Sequence, residues 1–231
     1  MEPERIAELL EPFLASSTLL SEPCHSEARG AEESAVLTAA QLQSISTYID
    51  ILQRWNARIN LTAIRDVEEI VTRHFGESLF AARHLVPTSS SVVKALEVAD
   101  VGSGAGFPGI PIKLWAPEIV LTLIESNHKK ASFLKEVTRA LTLTNVNIQT
   151  ARAEALTGAS FDLVTLRAVE RFESVLPVAA RLVAPGGRLA LLIGQIQLPR
   201  AELTLPALSW SQPIPLPASQ ARVLATARKP K

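Results

Sequence analysis

Residues 100–109 read DVGSGAGFPG, with Gly102, Gly104, Gly106 and Gly109 closely spaced behind the carboxylate of Asp100. Glycine lacks Cβ and adopts positive φ freely, so such a loop lets backbone approach a ligand closely. From Gly104 it fits G-x-G-x-x-G, the dinucleotide pattern. From Asp100 it fits D-x-G-x-G-x-G, the loop of many S-adenosylmethionine (SAM) enzymes. Glu125 follows about 20 residues after the loop, where an acidic side chain can accept both ribose hydroxyls of a nucleoside. Asp100 is placed to face the ammonium of a methionine moiety and would sit poorly beside a pyrophosphate. Glu154 is placed to accept from an adenine amino group. No His or Tyr–Lys constellation suggests hydride transfer, so the residues favour SAM over NAD.

These residues need a scaffold, and the chain supplies strand–helix alternation from residue 96 onward. LEVADV (96–101), VLTLIE (120–125), VNIQTA (146–151), FDLVTL (161–166), RLALLI (188–193) and RVLATA (222–227) read as strands. Helices are expected at about 108–116, 127–141 and 170–182, with Pro108 in the first turn of the first. Near-continuous apolar strands alternating with helices predict an α/β fold with a doubly wound, mostly parallel sheet. In such a sheet the ligand sits at the carboxyl ends of the strands. APGG (184–187) reads as a turn, and 195–217, rich in proline, as edge strands and loops.

An N-terminal helical extension precedes the sheet. Residues 3–14 form a short amphipathic helix. Thr38 with Gln41 is a capping box opening a helix with Leu42, Ile45, Ile49, Leu52 and Trp55 on one face. Asp66 with Glu69 is a second, opening a helix with Val67, Ile70, Val71, Phe75 and Leu79. Residues 15–35 read as a loop or loose connection. The expected division is an extension, residues 1–90, packed on a SAM-binding domain, 91–231.

Composition narrows the class. Lys+Arg and Asp+Glu number 23 each, so no global field attracts nucleic acid, and any RNA contact must be local. Cys24 is the only cysteine, which excludes an intramolecular disulfide. No signal peptide and no apolar run long enough to span a membrane is visible. The expectation is a soluble cytoplasmic protein, monomeric, without a metal site.

Longer stretches are more specific. LQRWNARINLTAIRDVEEIVTRHFGESL (52–79), ADVGSGAGFPGIPIKLWAP (99–117), TLIESNHKKASFLKEV (122–137) and FDLVTLRAV (161–169) resemble the RsmG family, formerly called glucose-inhibited division protein B. The resemblance implies a Rossmann-like class I SAM methyltransferase that methylates N7 of one guanine in 16S rRNA near the decoding centre. Its partner would be the small ribosomal subunit or its precursor. Guanine N7 carries a free lone pair at neutral pH, so in-line attack on a sulfonium methyl needs no general base. Positioning can then supply much of the rate.

By the same resemblance, cofactor contacts fall on Gly102, Phe107, Glu125, Ser126, Asn127, Ala153, Glu154 and Arg167, beside Asp100 and Gly104. Arg167, after the fourth strand, should emerge at the site mouth and is the one catalytic candidate. Ser126 and Asn127 can also cap the following helix. Lys129 and Lys130 match the family's basic pair and are the leading RNA contacts. Arg54, Arg58, Asn60, Arg73, His74 and His128 are further candidates, and Trp55 reads as a core anchor. The chain departs from the family at Ile193, where lysine is usual, and at Leu166, where serine is common; the first removes a cation from the expected RNA face. A SAM-binding regulator, and a small-molecule methyltransferase or NAD enzyme, are the alternative readings.

Overall fold

Side chains of the central strands alternate between two hydrophobic cores, one on each face of the sheet. Val98, Leu121, Leu123, Leu163 and Leu192 pack into the first, and Ala99, Val101, Ile124, Val164 and Leu191 into the second. The period of two along each strand imposes this division. The computed structural model describes residues 1–15, 36–86, 95–167 and 172–231.

The extension comprises α1 (Pro3–Leu14), α2 (Ala39–Asn56) and a continuous rod of α3 (Val67–Glu69), a π-helical stretch (Ile70–Gly76) and α4 (Glu77–Leu85). The sheet region follows as β1 (Glu97–Val101), α5 (Gly109–Trp115), β2 (Val120–Ile124), α6 (His128–Ala140), β3 (Val146–Gln149), β4 (Phe161–Arg167), α7 (Phe172–Leu182) and β5 (Val183–Gly194). It ends with α8 (Leu198–Thr204), β6 (Ser209–Trp210), β7 (Ile214–Pro215) and β8 (Arg222–Arg228). The strand order is β3-β2-β1-β4-β5-β8-β6, with β7 also pairing β8. Strands β1 to β5 are mutually parallel where they pair, and β8 runs antiparallel to β5. The doubly wound, mostly parallel sheet is therefore as expected, and its carboxyl edge at the β1/β4 switch point is open to a ligand.

The extension shares the first core with one face of the sheet. Ile6, Leu10 and Phe13 of α1 and Ile45, Tyr48, Ile49 and Leu52 of α2 are buried there with Ile110 and Phe133. The Thr38–Gln41 capping box forms in both directions, and Gln41 Nε2 donates to the Leu114 carbonyl at 2.8 Å, tying α2 to α5. Phe13 packs so closely on Gly76 that a Cβ there would lie 2.7 Å from its ring.

Four local expectations change. Asp66 accepts from the Glu69 N–H, but the return half of that capping box is absent among the described residues, and Glu69 instead faces Arg73 at 3.6 Å. The helix it opens is π-helical through Ile70–Gly76 rather than uniformly α. Residues 184–187 belong to the β5 span, where its pairing with β4 shifts register, instead of forming a separate turn. The segment 195–217 contains the helix α8, with Pro199 in its first turn, where a missing N–H costs nothing. Of the loop expected at 15–35 all but Ala15, and the boundary at 90/91, lie outside the described residues, as does Cys24.

Candidate active site

The glycine loop is held from below by backbone. The N–H groups of Gly102 and Ser103 both donate to the Ile124 carbonyl at the end of β2, at 2.9 and 3.1 Å. Gly104 sits at φ +55°, and its N–H donates to Glu125 Oε2 at 2.9 Å. The other Glu125 oxygen accepts from the Asn127 N–H at 2.7 Å. One carboxylate thus clamps the loop to the start of α6 and retains lone pairs for further donors. Asn127 Oδ1 in turn accepts from the Lys129 and Lys130 N–H groups, at 2.9 and 3.2 Å, as the N-cap of α6.

A cavity of about 1270 Å³ opens above this floor. It is lined by Gly102, Gly104, Phe107, Glu125, Ser126, Asn127, Ala153, Glu154, Arg167 and Lys130 among the residues singled out from sequence. Glu154 is exposed, in the short turn after β3. The topology explains the convergence: the loop follows β1, Glu125 follows β2 and Glu154 follows β3, all at the same edge.

Asp100 is placed differently from expectation. It is 1% exposed and does not line the cavity. Thr165 Oγ1 donates to its Oδ1 at 2.8 Å and the Gly109 N–H to its Oδ2 at 3.3 Å. Burial raises its pKa to about 6, opposed by these hydrogen bonds. Its carboxylate therefore links β4 to the start of α5 from beneath the loop, instead of facing a ligand ammonium.

Arg167 lines the cavity but is not at an open mouth. Its side chain is 7% exposed. Nη2 donates to the Arg73 carbonyl at 2.6 Å and to Glu77 Oε2 at 3.2 Å, and Nη1 donates to His74 Nδ1 at 2.9 Å. Since a guanidinium only donates, His74 Nδ1 must be unprotonated and Nε2 carries the hydrogen toward Thr62 Oγ1, 2.8 Å away. Burial, then the charges of Arg167, Arg73 and Arg222, lower the His74 pKa to about 3. His74 is thus a neutral, buried group, not a cationic RNA contact. Its ring stacks on Phe107 at 4.7 Å between centroids, and Tyr48 stacks on the same ring at 5.3 Å.

Among the RNA candidates, Lys130 and Arg73 reach the cavity wall, as does Asn60. Lys129, Arg54, Arg58 and His128 are exposed and off it. Arg54 lies 3.5 Å from Glu136, and Trp55 Nε1 donates to the same carboxylate at 2.9 Å, in keeping with a core anchor. Ile193 is 4% exposed in the second core and Leu166 is fully buried, so neither departure from the family borders the cavity.

Glu77, Arg222, Asn56 and Tyr48 were not singled out from sequence. Asn56 shapes the loop after α2: its Oδ1 accepts from the Leu61 and Thr62 N–H groups and its Nδ2 donates to the Thr62 carbonyl. The asparagine within the W-N-x-x-x-N-L-T stretch was the available signal. Glu77 carries no motif in the sequence, and Arg222 reads only as the first residue of the last strand, 222–227.

The chain is similar to known proteins over most of its length. The model of the family described as GidB, rRNA small subunit methyltransferase G, matches residues 41–214. A curated relative named ribosomal RNA small subunit methyltransferase G from Halorhodospira halophila is 42% identical over 168 residues, 72% of this chain and 77% of the relative. One of the same name from Stenotrophomonas maltophilia (strain K279a) is 42% identical over 159 residues, covering 68% and 71%. Among solved structures, a ribosomal protein L11 methylase from Lactobacillus delbrueckii superposes with a TM-score of 0.56 at 19% identity, covering 68% of this chain and 79% of that one. TYW2 from P. horikoshii in complex with MeSAdo gives 0.54 at 15%, covering 68% and 63%. These two likenesses concern the fold.

Proposed function

This chain belongs to the rRNA small subunit methyltransferase G family, and from that premise we propose that it transfers a methyl group from SAM to N7 of a guanine in 16S rRNA. One observation carries the reading: the glycine loop, Glu125, Ala153 and Glu154, and Lys130 line a single cavity at the carboxyl ends of β1, β2 and β3.

The residues fit the cofactor. At Gly104 a Cβ would have only one backbone oxygen within 4 Å, at 3.7 Å, so the loop faces open space there. Gly102, Gly104 and Phe107 would form the floor, Glu125 would accept from ribose hydroxyls, and Glu154 at the rim would accept from the adenine amino group. When bound, SAM supplies an electrophilic sulfonium methyl. The protein's part is to hold the guanine plane so that the N7 lone pair lies in line with that methyl. N7 bears no proton at neutral pH, so no side chain has to remove one, and the neutral His74 is consistent with chemistry run by orientation. Lys130 would steer the RNA backbone toward the cavity. No helix among the described residues is long and apolar enough to cross a membrane. The reading extends to a cytoplasmic monomer acting on the small subunit or its precursor.

The test is methyl transfer from isotopically labelled SAM to hypomethylated small subunits, to free 16S rRNA and to a no-RNA control, with the product nucleoside identified. Labelled 7-methylguanosine from an RNA arm is expected. Tight SAM binding without transfer in any arm would replace the reading with that of a SAM-binding regulator.

A further inference from the structure

Three guanidinium groups converge on one buried carboxylate at the edge of the cavity. Glu77, 1% exposed, has Arg73 Nε at 3.2 Å, Arg167 Nη2 at 3.2 Å and Arg222 Nη2 at 3.0 Å. Arg73 has a second acid, Glu69, on the solvent side at 3.6 Å. Arg167 and Arg222 share Glu77 alone among the described residues. Moreover, among the described residues Nε of Arg167 and Nε of Arg222 are buried without a hydrogen-bond partner, and Arg222 Nη2 meets Glu77 as an ion pair without hydrogen-bond geometry. A buried charge requires a partner and satisfied donors. Among the described residues, Glu77 and Glu69 face these three guanidinium groups and Asp100 acts on Arg167 through space; the Arg222 side chain, 21% exposed, lines the cavity, the pattern of a site that takes an anion.

Topology says which half of the cavity it serves. The candidate cofactor residues other than Arg167 and the buried Asp100 follow β1, β2 and β3. Arg167 ends β4, and Arg222 starts β8, paired with Gly194 at the end of β5. The arginines therefore lie on the other side of β1 from β2 and β3. At about 1270 Å³ the cavity exceeds the roughly 300–1,000 Å³ usual for one small ligand. It has room for a nucleotide beside a cofactor.

We infer that Arg222, held by Glu77 and flanked by Arg73 and Arg167, anchors a phosphate of the target nucleotide as it enters beside the cofactor. The inference rests on the RNA-methylation reading above. An enzyme that acts on a base takes the nucleotide out of its stack, and its backbone phosphate must then be fixed for the base to be aimed. A guanidinium fork matches phosphate geometry, which an ammonium does not. Arg222 is thereby a positioning residue.

The experiment uses the full chain and the variants Arg222→Gln and Arg222→Lys, with melting curves to establish folding. For Arg222→Gln the expected result is a KM for hypomethylated subunits raised tenfold or more. Its log–log salt slope should flatten by about one, with SAM affinity within twofold of wild type. Arg222→Lys should recover part of the KM loss. A wild-type arm needs no variant: guanosine 5′-monophosphate should bind product-loaded enzyme at least tenfold tighter than guanosine. Loss of SAM affinity with an unchanged salt slope would assign the anion to the cofactor's carboxylate and overturn the inference. So would equal binding of the nucleotide and the nucleoside, or variants that match wild type in KM. Failure of the wild type to methylate any RNA would instead overturn the underlying reading.

Discussion

Tyr48 of the extension and Phe107 of the glycine loop lie face to face, ring centroids 5.3 Å apart and planes within 2°. The Tyr48 hydroxyl donates to the Ala105 carbonyl inside the same loop. Helix α2 therefore sets the shape of the loop through one stacked ring and one hydrogen bond, both buried. The Tyr48→Phe variant keeps the stack and leaves a buried carbonyl without its donor. A stability loss of about 1–3 kcal/mol is expected, with a severalfold weaker SAM affinity. Urea unfolding and calorimetry check both, and an unchanged affinity would show that the loop keeps its shape without the tether.

Two glycines of the loop separate ligand approach from packing. Gly104→Val should fold, since a Cβ there meets nothing closer than 3.7 Å, but should lose at least tenfold in SAM affinity. A branched residue resists φ +55° and fills the space above the loop. Gly106→Ala should instead fail in folding, because its Cβ would overlap the Tyr48 hydroxyl and lie 2.7 Å from Ile110 Cδ1. Melting temperature and calorimetry on both variants distinguish the cases, and normal SAM binding by Gly104→Val would move the site elsewhere.

The two lysines of α6 should not be equivalent. Lys130 is half-buried and lines the cavity, whereas Lys129 is exposed and does not. Replacing Lys130 by alanine should flatten the salt slope of RNA binding by about one, if it meets a phosphate. The Lys129 change should have the smaller effect, and SAM affinity should hold in both. Titrations at several salt concentrations measure this. Equal slopes for the two variants would mean a diffuse field rather than a contact.

His74 should make stability pH-dependent. Its folded pKa, about 3, lies below the ordinary value of 6.5. Its contribution is therefore present above pH 6.5 and is lost as pH falls toward 3. Between pH 6.5 and 5, wild type should lose about 2 kcal/mol relative to His74→Gln, which has no proton to take up. Asp100 works in the opposite sense: its folded pKa, about 6, lies above 3.8, so its contribution is lost as pH rises through that range. Denaturant unfolding of wild type and His74→Gln at several pH values is the check, and parallel curves would contradict the assigned neutral tautomer.

Much of the architecture was legible because it rests on local rules. Apolar runs punctuated by glycine and proline marked five strands of the parallel sheet. The loop at 102–109 and the acid at 125 carried the cofactor reading, since a βα turn and the next strand end are brought together by a parallel sheet of any sequence. What distance along the chain conceals was decided by the tertiary structure. Asp100 looked like a ligand-facing carboxylate, but the pleat points it under the loop toward Thr165. Glu77 carries no local signal, and its role appears only where the helix carrying it meets Arg167 at the end of β4 and Arg222 at the start of β8. Arg222, 55 residues beyond Arg167, reaches the same cavity because β8 runs antiparallel, so its first residue arrives where the parallel strands end. The residues and their spacing determined the sheet and the candidate cofactor end of the cavity. Only packing of the extension on that sheet, with the reversal of β8, assembled the charged end, because those contacts join segments that no local pattern relates.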